Sequence, residues 1–458
     1  MHAHLITLAI IGCALSLSAQ DKNLYSPYTV ESLMGDYGFI PRRTEIEPKI
    51  SSDDNDLLLQ VKKLATNEVP AAVQLLENKL LGDPDCSSVF DFALGTLQYK
   101  QGRLKEAVRS YEGALKKFPN FLRAQKNMAY VQIQLKDYPS ATTSLTKTLT
   151  LGDADGATYG MLGFCNLMQG KYSSAENAYR FGLVRDPTSR AIRNGLVRCL
   201  EGMGRYQETI ALLDELILEN PAEQAYWLTQ VNSLNQVGQE HRAIANLEIL
   251  RRMNRATGPS LLLLGDLYLN LELPDRAYRA YETALDLDGN LPPAHYIRAA
   301  NHLASQNATE AASRFAKQIQ DKYGDLLAGV DKLQFLKLRA RLFLHKKDYT
   351  SAVTMLETLV EKDPLDGEAL LLLGRTHWAM QDTIKAGIAF ERAARTDDQD
   401  LTSNALVEHA RMLAEEGVKL NEAVQLLRRA QQIRPRNNVG AYLRAIEMAA
   451  KSQRTLEN

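Results

Sequence analysis

A repeat period of about 34 residues constrains this chain more than any other feature of its sequence. Leu94-Gly95, Ala107, Tyr111, Ala114 and Pro119 set a pattern that returns two periods later as Leu162-Gly163, Ala175, Tyr179, Gly182 and Pro187. It returns again as Leu264-Gly265, Ala277, Tyr281 and Ala284, with Gly289 in the proline slot. Weaker copies begin at Leu122, Arg190 and Gln224, and a further one at Pro292 places Ala311 and Phe315 at the alanine and aromatic positions. Read this way, seven repeats run from Ser88 to Asp325 in one unbroken register. A chain of 458 residues would ordinarily suggest about three domains. A short period held this long points instead to one small unit copied many times.

Each copy reads as two helices. Apolar residues recur three and four apart in Val89–Lys100 and Leu104–Lys117, as amphipathic helices require. Gly102 stops the first helix, and a proline near the end of the repeat stops the second. Glycine or alanine at the eighth position and alanine at the twentieth allow two helix backbones to approach. Tyrosine, phenylalanine or leucine at the twenty-fourth fills the space between them. The boundaries expected are an irregular first repeat from Asp53, about eight repeats over 53–325, and a seven-residue insertion at 326–332. About three more repeats follow over 333–437, one with an extra residue in its turn near Ser403, and 438–458 form a C-terminal capping helix and tail.

The pattern L-G…A…Y…A…P on this period resembles the tetratricopeptide repeat family. The resemblance covers roughly Asp53 to Lys451. It implies an all-α fold, a right-handed superhelical solenoid of antiparallel helix pairs. First helices would line a concave groove and second helices the convex back. The family's aromatic fourth position survives as Trp227 but is replaced elsewhere, as by Asp91 and Leu336. A single pair cannot bury its apolar face alone, so stability comes from stacking neighbours and from a more polar cap.

The resemblance also implies which positions face the groove. In the early repeats these carry Phe92, Tyr99, Tyr130 and Phe164, with Leu167 and Met168; in the later ones Lys337, Arg341, His345, Arg375, Trp378 and Arg411. Arg341, Arg375 and Arg411 occupy the ninth position of successive repeats, an arginine ladder suited to an acidic peptide or carboxylate-rich partner through forked hydrogen bonds. The competing reading is a solvated face whose charges pair with neighbours such as Glu368 or Glu415, and aromatics that pack between repeats. The family's groove site for chaperone C-terminal carboxylates needs asparagine where this chain has Tyr130 and Met161, although Lys126 and Asn127 are present. A clamp of that kind is not expected.

The segment ahead of Asp53 differs from the rest. Leu5–Leu17 is an uncharged apolar run followed by small residues, the length of a signal-peptide core and too short to span a bilayer. Residues 1–19 are therefore expected to be a removable signal peptide, although Met1–His4 lacks the usual basic residue. Cys13 follows Ile10-Ile11-Gly12 in a way that resembles a bacterial lipobox; a cysteine within a cleaved apolar core is the preferred reading over a lipid anchor. Residues 20–52 form an extended arm or linker with Tyr25, Tyr28, Tyr37 and Phe39. It either docks on a groove or tethers the repeats.

No further apolar run is long enough for a transmembrane helix. Lys and Arg number 54 against 55 Asp and Glu, which argues against a nucleic-acid binder. Phosphate-loop, dinucleotide, zinc-protease and serine-hydrolase signatures are absent, so neither catalysis nor a cofactor is expected. His295 and His302 lie two helical turns apart with no metal set in view, and Cys165 and Cys199 read as buried packing thiols. The expected function is a non-enzymatic scaffold that binds a protein or peptide, exported to a bacterial periplasm or outer membrane. The alternative is an accessory or assembly subunit that binds a glycan polymer or an envelope synthase.

Overall fold

The computed structural model describes residues 46–48, 50–287, 291–417 and 419–457. Residues 1–19, expected to be a signal peptide, Cys13 among them, and the four aromatics of the arm lie outside the described residues. Among the described residues there are 23 helices, in antiparallel pairs closed by a single last helix. The chain divides into two compact units, one up to Ala243 and the other from Ile244 onward. In the N-terminal unit the pairs begin with Ser52–Asn67 and Val69–Gly82, then Ser88–Lys100 and Leu104–Lys117, Leu122–Gln134 and Tyr138–Thr150. Gly156–Met168 and Tyr172–Arg185, then Arg190–Gly202 and Tyr206–Glu219, follow. The C-terminal unit contains Gly258–Asn270 with Pro274–Asp286, Pro293–Ser305 with Thr309–Tyr323, and Gly329–His345 with Tyr349–Lys362. Gly367–Ala379 with Thr383–Ala393 and Gln399–Glu416 with Leu420–Ile433 complete it, under the cap Asn437–Glu457.

The small eighth position works as its chemistry demands. A Cβ on Gly95 would lie 2.9 Å from the Tyr111 ring, and one on Gly163 would lie 2.6 Å from the Tyr179 ring. Gly265 against Tyr281 and Gly374 against Phe390 repeat the contact. Tyr111, Tyr281 and Phe390 are fully buried there. The ring reaches forward as well, since a side chain on Gly195 of the next repeat would also strike Tyr179. One aromatic thus locks its own helix pair and the first helix of the next.

Backbone conformation marks the period independently. The residue ending each first helix is left-handed at Gly102, Lys136, Gly170, Gly204, Gly238 and Glu272, each one period after the last. An aspartate commonly follows and caps the second helix, as Asp137, Asp348 and Asp382 do for the backbone N–H three residues on. The next left-handed residue is Asn307, one residue late for the period set by Glu272, so the register is not unbroken to Asp325. Ala312, not Ala311, stands where Ala107 and Ala277 stand, and Ala316, not Phe315, takes the twenty-fourth position. Phe315 instead stacks on Tyr281 at 5.7 Å. With that slip counted, six residues rather than seven are inserted before the next repeat, and those from Gly329 on are helical and lengthen Gly329–His345 to 17 residues. Gly417 comes two positions late for the period set by Gln381 because two residues are added ahead of Ser403; the turn after Gly417 then holds the one extra residue expected, with Ala423 six residues on where Ala386 is five from Gln381.

Within each unit the first helices of successive repeats touch one another. Second helices do so closely at one place, Pro274–Asp286 against Thr309–Tyr323. First helices therefore lie on the inner side of each curve.

Replacing Gly163 with valine is expected to force the Tyr179 ring out of its slot and destabilise the fold by ~1–3 kcal/mol. Urea unfolding checks this, and Tyr179→Leu in the same chain should recover part of the loss.

Candidate functional site

The inner face carries the residues that the sequence analysis singled out. Phe92 is buried, its ring 4.9 Å from Phe121 and 5.9 Å from Tyr111. Tyr130 is also buried, edge-on to Tyr99 at 5.7 Å, and its hydroxyl accepts from Gln134 Nε2 at 3.1 Å. Phe164 is half-buried and meets Tyr138 edge-on at 5.9 Å. Phe92 and Tyr130 thus spend their area on packing between helices, while Phe164 keeps part of its ring in solvent.

Lys337, Arg341 and Arg375 are brought together with carboxylates at or beyond the start of the following helix pair, and Arg411 with one on its own helix. Lys337 Nζ lies 2.7 Å from Asp366 and 3.6 Å from Glu368, with both lysine and aspartate side chains largely buried. Arg341 pairs with Glu368 and donates to Asn301 Oδ1 at 3.1 Å. Burial lowers the Arg341 pKa below the usual guanidinium value, against the pull of Asp366. Arg375 donates to Glu408 at 2.8 Å, and Arg411 lies 3.8 Å from the same carboxylate with its guanidinium 6.0 Å from the Tyr442 ring. The ladder is therefore stitched from repeat to repeat, through Glu368 and through Glu408 rather than Glu415. Its charge is not evenly cancelled. Two cations meet two carboxylates at Lys337 and Arg341, whereas Arg375 and Arg411 share one.

Lys126, the lysine of a would-be carboxylate clamp, is held by Asp153 and Asp155 at 2.8 Å each. Cys165 and Cys199 are buried free thiols, pushed up to about 12 by burial. Among the described residues no cluster could hold a metal ion, and no helix is long and apolar enough to cross a membrane.

Two features were not foreseen, and a third bears on the arm. Asp266 accepts from the Tyr281 hydroxyl at 2.6 Å and pairs with Arg298 and His302 at 3.1 Å each, a polar knot joining successive repeats. These partners hold its pKa below the usual carboxylate value despite burial. Glu201 occupies the inner-face position filled by Tyr99, Ile133 and Leu167 in earlier repeats, and burial pushes its carboxyl up to about 7, against Arg198. The break in that apolar column was the available signal. The end of the arm also docks: the Leu122 N–H donates to the Ile46 carbonyl at 3.0 Å, Arg123 Nε donates to Glu47 at 3.1 Å, and Pro48 is buried. The arm thus caps an orphan donor at the start of an inner helix.

These observations define an all-helical repeat scaffold. Profiles described as "Tetratricopeptide repeat" match residues 92–155, 166–231, 258–291 and 337–401, together half of the chain. The chain belongs to the tetratricopeptide repeat family, a class of non-enzymatic scaffolds for protein–protein interaction. Hsp70-Hsp90 organizing protein 3 of Arabidopsis thaliana is 28% identical over 107 residues, 23% of this chain and 19% of that protein. Hsp70-Hsp90 organizing protein 1 of Glycine max is 28% identical over 145 residues, 32% of this chain and 25% of that protein. The match thus spans a quarter or less of these relatives' length. Among solved structures, a tetratricopeptide repeat protein from Parabacteroides merdae aligns with TM-score 0.37 and 19% identity, over 58% of this chain and 98% of that one. YrrB, described as having an unusual peptide-binding site, aligns with TM-score 0.31 and 14% identity, over 47% of this chain and 93% of that one.

Glu201 gives a pH-dependent prediction. Its folded pKa is raised above the unfolded value, so wild-type stability should fall as pH rises from about 4.5 through about 7. Glu201→Gln should be more stable than wild type at pH 8, by roughly 1–3 kcal/mol, with a smaller gain at pH 5. Urea titrations at the two pH values check this; an equal offset at both would contradict it.

Proposed function

We propose that the chain is an exported bacterial scaffold that holds an acidic protein or peptide partner against the inner face of its C-terminal unit. The observation that carries the choice of partner is the charge imbalance at Arg375 and Arg411. Two guanidiniums, 40% and 51% exposed, share the single carboxylate of Glu408, so a partner carboxylate would complete the pairing. Export rests on the apolar run Leu5–Leu17 and the small residues behind it. A periplasmic or outer-membrane setting follows from that segment, with attachment through Cys13 the less favoured arrangement.

The test is affinity capture from envelope extract with the chain lacking residues 1–19. A protein partner should be retained, and Arg341→Glu, Arg375→Glu and Arg411→Glu together should abolish its capture. Undiminished capture by the triple variant would sink the ladder. Bound material that survives protease treatment would favour a glycan polymer instead.

A further inference from the structure

Past the register slip before Pro293, the side chain at the twenty-fourth position is small and borders a cavity. In other repeats the twenty-fourth position holds Tyr111, Tyr179, Tyr281, Leu356 or Phe390; here it is Ala316. Ala316 lines a cleft of about 190 Å³ between helices Thr309–Tyr323 and Gly329–His345. The inserted residues lengthen the connection between these two helices. They also pack less closely than the corresponding pair Tyr349–Lys362 and Gly367–Ala379.

The lining has a definite chemistry. Ala316, Leu342 and Phe343 give it an apolar floor. Lys317, Arg339 and Lys346 bring three cations, and no carboxylate lines it among the described residues. Arg339 is pre-positioned: its Nη1 donates to Gln320 Oε1 at 3.1 Å, and its guanidinium lies 5.7 Å from the Phe343 ring. Lys346 has only Glu310 on the rim, at 3.7 Å with both side chains exposed. The Ser313 hydroxyl, on the cleft wall, is buried without a hydrogen-bond partner. On helix Gly329–His345, Arg339 and Phe343 lie two positions, about 200° of rotation, from Lys337 and Arg341, with Leu342 and Lys346 turned to nearly the same side. The cleft therefore lies on the opposite side of that helix from the ladder.

We propose that this cleft binds a carboxylate carried on an apolar stem, presented by an acidic residue of a peptide with apolar neighbours. The volume accommodates roughly one such residue and part of the next. A phosphate dianion fits less well. The apolar floor of Ala316, Leu342 and Phe343 suits a carboxylate on an apolar stem better than a fully solvated dianion. The Ser313 hydroxyl and the Lys317 and Lys346 ammonium groups supply the donors, with Arg339 fixed as the anchor. The proposal rests on the reading of the chain as a peptide-binding scaffold and adds a second site to it.

The test uses the full chain with labelled alanine and leucine methyl groups. The probe is an acetylated, amidated tetrapeptide of leucines with one aspartate. It should shift the Ala316 and Leu342 methyl resonances, while the same peptide with asparagine should not. Lys317→Gln with Lys346→Gln, folded by circular dichroism, should raise the apparent Kd about tenfold or more. Ser313→Leu, which fills the cleft without changing charge, should abolish the shifts. No shifts, an equal response to the asparagine peptide, or a response to inorganic phosphate at lower concentration would each overturn the proposal. Partner capture from extract without these shifts would overturn the cleft alone and leave the scaffold reading standing.

Discussion

The architecture rests on tight packing between the eighth and twenty-fourth positions of each repeat, closest where an aromatic ring meets a glycine, as Tyr179 meets Gly163. Where the twenty-fourth residue is a ring, a larger eighth residue would prevent the approach; where the eighth is Ala129 or Val197, the twenty-fourth is Leu145 or Leu213. Because the ring also reaches the next repeat, as Tyr179 reaches Gly195, pair formation and stacking are one event. A helix pair on its own leaves its apolar faces in water, so the contact gains its full value only in the array. The inner surface is a product of the same geometry: helices drawn together on one side must present their outward-pointing polar residues along a curved wall.

That wall is electrostatically busy but largely self-satisfied. Lysine and arginine side chains reach to carboxylates one repeat on, at Asp153 and Asp155, at Asp366 and Glu368, and at Glu408. Partly exposed pairs of this kind add little stability each. Their larger consequence is for recognition, because a cation already paired offers less to a partner than one that shares its counter-ion. The unequal count around Glu408 distinguishes that stretch from the neutral set around Lys337.

The period, the helix pairs and the glycine–aromatic contact were legible because each leaves a residue-type signature at a fixed spacing. The slip at Asn307 was not, because Ala311-Ala312 and Phe315-Ala316 offer two small and apolar choices at adjacent positions. Only the left-handed backbone shows which of each pair is in register. Pairing partners were legible as to side but not identity: the pattern placed Arg375 and Arg411 on the inner face, yet Glu408 lies 33 residues from Arg375. His302 was read without a carboxylate for the same reason, since Asp266 arrives from the preceding repeat, 36 residues away. Position in a repeat fixes direction; contacts depend on how two repeats rotate against each other.

The central claim is that a protein partner lies on the inner face of the C-terminal unit, over Arg375 and Arg411. Hydroxyl-radical footprinting of the captured complex tests it most directly. Trp378, one turn from Arg375, and Tyr442, beside Arg411, should lose reactivity when the partner is bound. The outward-facing Ile384 and Ile388 on a second helix, 77% and 55% exposed, should keep theirs. Protection of Ile384 and Ile388 with Trp378 and Tyr442 unchanged would contradict the account.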